Sequence, residues 1–416
     1  MRLLKWWKGL LAILVVILLI GWVVPIILLK LSLPNSNANK LTHYLNSYAE
    51  SRKRFLTYQP ALKENWEMVQ YRSYRIGSTQ LTTDIMWADA NQKKENLIVI
   101  TSGVHGIEGY VGSAMIDLFQ QEFISRLDPN TTGLVYVHAV NPWGMKNFRR
   151  YNEDNVDLNR NFILNWNDFH TDSNKDYTEL RAFFEKNRPL GNSTLHEMGF
   201  IGSLGKTAIT SGTSKIEKAL LTGQYTDPKG VYYGGSKDEP STEMMKKIYA
   251  EIVASDYQNI VHIDLHTGYG PKYQMSIFSS SSETMTEAEA KKAFHYPLVL
   301  TPDSKDFYVT SGDNTEYMYG LQKQTKSSKK IYSTTFEFGT LGDGTIASIQ
   351  SLKNTIDENR LYWQGSTNDV TKEIIKNRYK EMFYPSEEKW RKKAEKDFQQ
   401  AIKGVLNNRE IPLNGG

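Results

Sequence analysis

The 416-residue sequence contains no cysteine. That excludes disulfides, thiolate metal sites, iron–sulfur clusters, a cysteine nucleophile and a lipid anchor on a thiol. Any transition metal must therefore be held by histidine, aspartate or glutamate, and histidine is scarce at eight residues. Charge of one sign is lacking too. Fifty basic residues against 46 acidic leave a formal +4, spread without a basic stripe, so no nucleic acid partner is expected. No internal repeat is visible. The chain is 40% hydrophobic and 12% aromatic, a globular composition long enough for a sizeable core.

The one long hydrophobic run stands at the start. MRLLKWWK leads into an apolar stretch from Gly9 to Leu29, closed by Lys30. About twenty apolar residues cross a bilayer as a helix, and Arg2, Lys5 and Lys8 place the N-terminus on the cytoplasmic side. The expectation is one N-terminal transmembrane helix, residues 1–30, acting as a signal-anchor. The chain is then a single-pass protein of the cell membrane with its folded part extracytoplasmic. The alternative is a cleaved secretion signal and a secreted protein. Residues 31–40 (LSLPNSNANK) read as a polar linker, and residues 41–416 as one folded domain.

Within that domain MVQYRSYRIG and LTTDIMWADA alternate as two antiparallel strands. Ile98–Ile100 and Leu134–Val140 read as buried strands, and a helical pattern runs from Val111 to Leu127. Further apolar strands lie at Ile260–Leu265 and Ile331–Phe338. Ile346–Trp363 and Val370–Leu406 read as helical, the latter divided at Pro385. Strands alternating with helices predict an α/β fold, a mixed, mostly parallel twisted sheet flanked by helices. The stretch from Phe162 to Glu251 has little periodicity. Its GQYTDPKGVYYGGSKDEPS reads either as a loop shaping a cleft or as a plain insertion.

Four pieces of sequence carry chemistry. In IVITSGVHGIEG a strand ends in a turn bearing His105 and Glu108, both competent zinc donors and placed where ligands bind open α/β sheets. In HIDLHTGYG residues two apart share a strand face. His266, nearest the strand end, is therefore the third donor, Asp264 supports it or lines the wall, and His262 lies in the core, as does His138 in LVYVHAV. Two histidines and one glutamate leave a fourth position for water, whose pKa zinc lowers to about 7.

The third piece, RRYNEDNVDLNRNF, by itself reads more readily as a solvated, self-neutralising loop. Asn159 and Arg160 nevertheless suit a substrate carboxylate, Arg150 a carbonyl oxygen, and Asp157 the outer N–H of a metal-bound histidine. The fourth is Glu337, flanked by Phe336 and Phe338 at a strand end. Burial there would raise its pKa as a general base requires, and the alternative is an exposed strand-end glutamate.

HGIE, then NPWGMKNFRRYNEDNVDLNRNF, DLHTG and FEFGT, in this order over roughly Asn96 to Leu341, resemble the zinc carboxypeptidase superfamily. That superfamily includes carboxypeptidase A-like peptidases, aspartoacylase and succinylglutamate desuccinylase. HGIEGYVGSA with RYNEDNVDLNRNF is closer still to a carboxypeptidase-like bacterial branch. The resemblance implies one Zn2+ per chain on His105, Glu108 and His266, and Glu337 as general base. It gives Arg150 the oxyanion (with Arg149 as the alternative), Asn159 and Arg160 a terminal carboxylate, and Asp157 the first zinc histidine. The superfamily's substrate-capping tyrosine has only candidates here, Tyr225, Tyr232 and Tyr233. The expected function is a metallocarboxypeptidase cleaving C-terminal amide bonds of peptides. The alternatives are an amidohydrolase of N-acyl amino acids using the same residues, and a non-catalytic surface binding protein on the same fold.

Overall fold

Strand β3 (Asn96–Ser102) is buried along its whole length, as a strand covered on both faces must be. It lies in an eight-stranded sheet with β1 (Met68–Arg75), β2 (Thr82–Asp89), β4 (Thr132–His138), β5 (Asn259–Gly268), β6 (Met275–Ser279), β7 (Val299–Leu300) and β8 (Lys330–Gly339). The order is β1-β2-β4-β3-β5-β8-β6-β7. Strands β4, β3, β5 and β8 run parallel. β1 and β2 pair antiparallel with each other, and β2 with β4. β6 is antiparallel to β8 and parallel to β7. The mixed, mostly parallel sheet expected from the sequence is the one found. This computed structural model describes residues 23–34, 42–172, 174–305, 307 and 310–414.

Alternation along β3 divides the core in two. Ile98 and Ile100 pack with Leu118 and Phe119 of helix Gly109–Glu122 and with Phe398 and Ile402 of helix Glu388–Asn408. Leu97 and Val99 face the other way, onto Met245 and Ile252 of helix Pro240–Ala254 and Met318 of helix Asn314–Thr325. Because the four central strands are parallel, β3, β5 and β8 all present their carboxyl ends at one edge, the place for a ligand crevice.

The stretch without periodicity, from Phe162 to Glu251, is largely helical. It holds helices Lys175–Phe184, Ser193–Ser211, Thr213–Leu221 and Pro240–Ala254. Helix Ser193–Ser211 escapes a periodicity reading because it buries only Ser193 and Phe200, leaving no apolar stripe turned to a core. The Asn192 side chain, accepting from the Thr194 and Leu195 amides, starts it. Among the described residues no helix is long and apolar enough to cross a membrane. Residues 23–32 are helical, while the greater part of the run from Gly9 to Leu29 lies outside the described residues.

Candidate metal centre

The centre is built on the turn leaving β3. Gly106 allows the chain to pass against helix Pro142–Asn147: a Cβ there would stand 2.2 Å from the Gly144 carbonyl carbon. The Gly106 and Ile107 amides donate to the backbone carbonyls of Arg150 and Arg149, fixing the turn on the Arg149–Arg160 segment. Glu108 ends the short helix Gly106–Glu108. Its Oε2 accepts from the Thr267 amide at 2.8 Å, which joins the turn to the end of β5.

Three donors meet there. His105 Nδ1 lies 3.0 Å from Glu108 Oε1 and 3.0 Å from His266 Nδ1, and His266 Nδ1 lies 3.1 Å from Glu108 Oε2. All three residues are buried. A tetrahedral zinc with bonds of about 2.0–2.1 Å has donor–donor edges of about 3.3 Å, so the donors would part by only a few tenths of an ångström to hold it. Each histidine is also backed at its outer nitrogen, His105 Nε2 by Asp157 Oδ1 at 3.0 Å and His266 Nε2 by Asp264 Oδ2 at 2.8 Å. The carboxylates fix the tautomer that leaves Nδ1 free for a metal. The residues fit the ion.

Asp264 is buried and also accepts from Thr101 Oγ1 at 2.6 Å and Asn314 Nδ2 at 2.9 Å. The Asp264→Asn variant is expected to lose about 10–100-fold in metal affinity, measured by competition with a chromophoric chelator. His262 and His138 are core residues, as expected. Burial lowers each to a pKa of about 4. The His138 ring lies 5.2 Å from Phe55, and its nitrogens have no partner among the described residues.

Glu337 sits directly across the β5–β8 ladder from His266. It is half-buried, and its Oε1 accepts from the Tyr269 amide at 3.0 Å. Burial first, then the charge of Glu108, push its pKa up to about 8. A cation held by the neighbouring donors would lower it again.

Arg150 donates from Nε to Asp157 Oδ2 at 2.9 Å and from Nη1 to Glu108 Oε1 at 3.3 Å. Arg149 is committed elsewhere, to Glu358 at 2.6 Å and against the Tyr362 ring at 3.5 Å. The structure thus brings Arg150, and not Arg149, to the donors. Burial works against the Asp157 carboxylate, but Arg150, His105 and Arg160 hold its pKa well below the usual range.

Asn159 differs from a free carboxylate clamp. Its Nδ2 donates to Asp313 Oδ2 at 2.8 Å and its Oδ1 accepts from the Asn314 amide at 2.8 Å, so it fastens the start of helix Asn314–Thr325. Arg160 is more available. Nη1 reaches the Asn159 carbonyl at 3.2 Å, Nη2 the Leu221 carbonyl at 3.5 Å, and the buried Nε has no partner among the described residues. Of the three tyrosines, Tyr225 is tied by its hydroxyl to the Arg160 and Ser311 carbonyls, and Tyr233 packs in the core. Tyr232 has φ +55°, and its ring lies 5.3 Å from the Arg150 guanidinium and 5.8 Å from that of Arg160.

The glycine-rich stretch around Tyr232 shapes the site. The Tyr233 carbonyl accepts from the Asp157 amide at 2.7 Å, and Asn161 Nδ2 donates to the Gly234 and Lys237 carbonyls. Where the stretch ends, Glu239 meets Asn152 at 2.7 Å. Burial, with Asp154 and Glu153 opposing its charge, pushes Glu239 up to about 7. The folded chain therefore holds this proton more tightly than the unfolded one, and stability is lost as pH rises from about 4.5 to about 7. Glu239→Gln should raise stability at pH 8 by about 1–2 kcal/mol and leave it unchanged at pH 4, read from denaturation midpoints.

Asn314 was not evident as a site residue. It joins Asp264 to the Asn159 side chain and accepts from the Tyr249 hydroxyl at 2.7 Å. In sequence it stands beside Asp313 in an ordinary helix-start pattern, which masks any further role.

No curated protein sequence matches the chain. Among solved structures it is similar to bovine thrombin-activatable fibrinolysis inhibitor in complex with tick carboxypeptidase inhibitor, at 14% identity and TM-score 0.43, over 81% of this chain and 98% of that one. It is also similar to carboxypeptidase A from Helicoverpa armigera, at 13% identity and TM-score 0.41, over 82% and 76%. A third is murein-tripeptide amidase MpaA from Escherichia coli O157, at 18% identity and TM-score 0.32, over 70% and 91%. Residues 44–397 match the sequence profile of the family described as "Protein of unknown function (DUF2817)", and the chain belongs to that family.

Proposed function

We propose that the protein is a zinc-dependent metallocarboxypeptidase, cleaving the C-terminal amide bond of peptides outside the cytoplasmic membrane, to which its N-terminal run tethers it. The observation that carries this reading is the meeting of His105, Glu108 and His266 with an independent carboxylate, Glu337, across the ladder from His266. Zinc held by His105, Glu108 and His266 would supply a Lewis acid and make a water in the fourth position more acidic.

Glu337 accepts the proton from the attacking water and delivers it to the leaving nitrogen, so that amide and water become carboxylate and amine. Arg150, already held by Asp157, donates to the carbonyl oxygen as negative charge gathers there. Arg160 receives the terminal carboxylate, with Asn159 holding the adjoining wall. Tyr232, over both arginines, covers the bound peptide end. Fixing the substrate at its carboxylate removes much of the entropic barrier to attack.

The test uses the full-length protein. One zinc per chain is expected, with hydrolysis of peptides bearing a free C-terminus and none of their C-terminal amides. A protein that retains no divalent metal overturns the enzyme. Equal cleavage of both peptides overturns the carboxylate clamp, and cleavage of N-acyl amino acids without peptides overturns the peptide substrate.

A further inference from the structure

Helix Ser193–Ser211 carries large apolar side chains on its outer side: Leu195 is 71%, Met198 66%, Ile201 66% and Ile209 88% exposed. Among its charged residues only Lys206 is exposed. Its inner side packs antiparallel against helix Thr345–Gln364. His196 meets Asp357 at 2.6 Å, Glu197 meets Lys353 at 3.2 Å, and Phe200 and Leu204 join the cluster of Ile356 and Leu352. That pairing brings the end of one helix to the start of the other, where Ile346 is 82% exposed. From Gly344 to Leu352 that start bears no charge at all. Exposed apolar residues in such number mark a surface that something covers.

The place of this surface says what covers it. Helix Thr345–Gln364 begins six residues after Gly339 ends β8, so the apolar end stands on the crevice side of the sheet. The tether joins the body on the same side. Tyr384 Oη donates to the Leu45 carbonyl at 2.9 Å, and the Phe383 carbonyl accepts from Thr267, next to His266, at 2.7 Å. Residues 31–40 can span at most about 36 Å from the apolar run.

We propose that the outer face of helix Ser193–Ser211, with the start of helix Thr345–Gln364, rests on the lipid bilayer, so that the crevice opens along the membrane surface towards peptides held there. The inference rests on the anchor in the proposed function and not on the chemistry. Apolar side chains of an interfacial helix enter the headgroup boundary, and the single Lys206 suits an anionic headgroup.

A chain without cysteine allows a direct test. Met198→Cys, Ile209→Cys and Ile346→Cys, each in the full-length protein, are spin-labelled in vesicles of phosphatidylcholine and phosphatidylglycerol. Lys93→Cys, exposed just before β3 at the opposite edge, is the reference. Labels at 198, 209 and 346 should collide more with oxygen than with a water-soluble nickel chelate, and the ratio should invert at 93. Failure to float with the vesicles overturns anchor and docking together. Flotation with labels as open to nickel as that at 93 overturns the docking alone. Dipolar coupling between labels on separate copies in lipid-free detergent overturns it in favour of a second chain on this face.

Discussion

Glu337→Gln should retain its metal and lose turnover by about 10²–10⁴-fold, the usual worth of a positioned general acid–base. The substitution keeps the Tyr269 amide bond, because a glutamine oxygen accepts as the carboxylate does. It removes only the capacity to take and return a proton. Glu337 is not one of the three donors, so zinc content by atomic emission should match the wild type while kcat falls and KM changes little. A variant with wild-type turnover removes Glu337 from the chemistry. A variant that loses zinc makes it a fourth donor instead.

Arg160→Met should lower kcat/KM for peptides with a free C-terminus by about 10²–10³-fold, in the range for removing one partner of a buried charge pair. Amidated peptides should be unaffected. Arg160 is buried with Nε unpartnered among the described residues and with carbonyls as its other partners. Among the described residues no carboxylate contacts it directly, and Asp157 acts on it only through space, so an arriving anion meets a guanidinium with donors to spare. Its loss should appear mainly in KM, since the interaction exists before the transition state. Arg160→Lys should recover part of the charge attraction but not the planar fork. Equal losses on free and amidated peptides would give Arg160 a purely structural part.

Much of this arrangement was legible before the structure. The apolar run Ile98–Ile100 reads as an interior strand, and His266 stands out over His262, which shares its strand face, because it lies nearest the strand end at the crevice. Asp157 was readable as a histidine partner from its place in RRYNEDNVDLNRNF. What was hidden depended on contacts between distant segments. Asn159 is held by Asp313 and Asn314, more than 150 residues away, and no local pattern announces that. β7 is two residues long, below any periodicity. Helix Ser193–Ser211 turns its apolar residues outward, so the rule that finds buried helices passes over it.

The parallel ladder has a kinetic consequence. β5 pairs with β3 across more than 150 residues of chain and with β8 across more than 60, and loop closure of that length precedes any reward from the contacts. A chain emerging in order holds His105 and Glu108 long before His266 exists, and the two earlier donors cannot make the centre alone. Capture of the proposed zinc is thus expected late, coupled to the insertion of β5 beside β3. Bound metal then favours the finished fold by mass action, and refolding with and without zinc should share one rate while differing in the rate of unfolding.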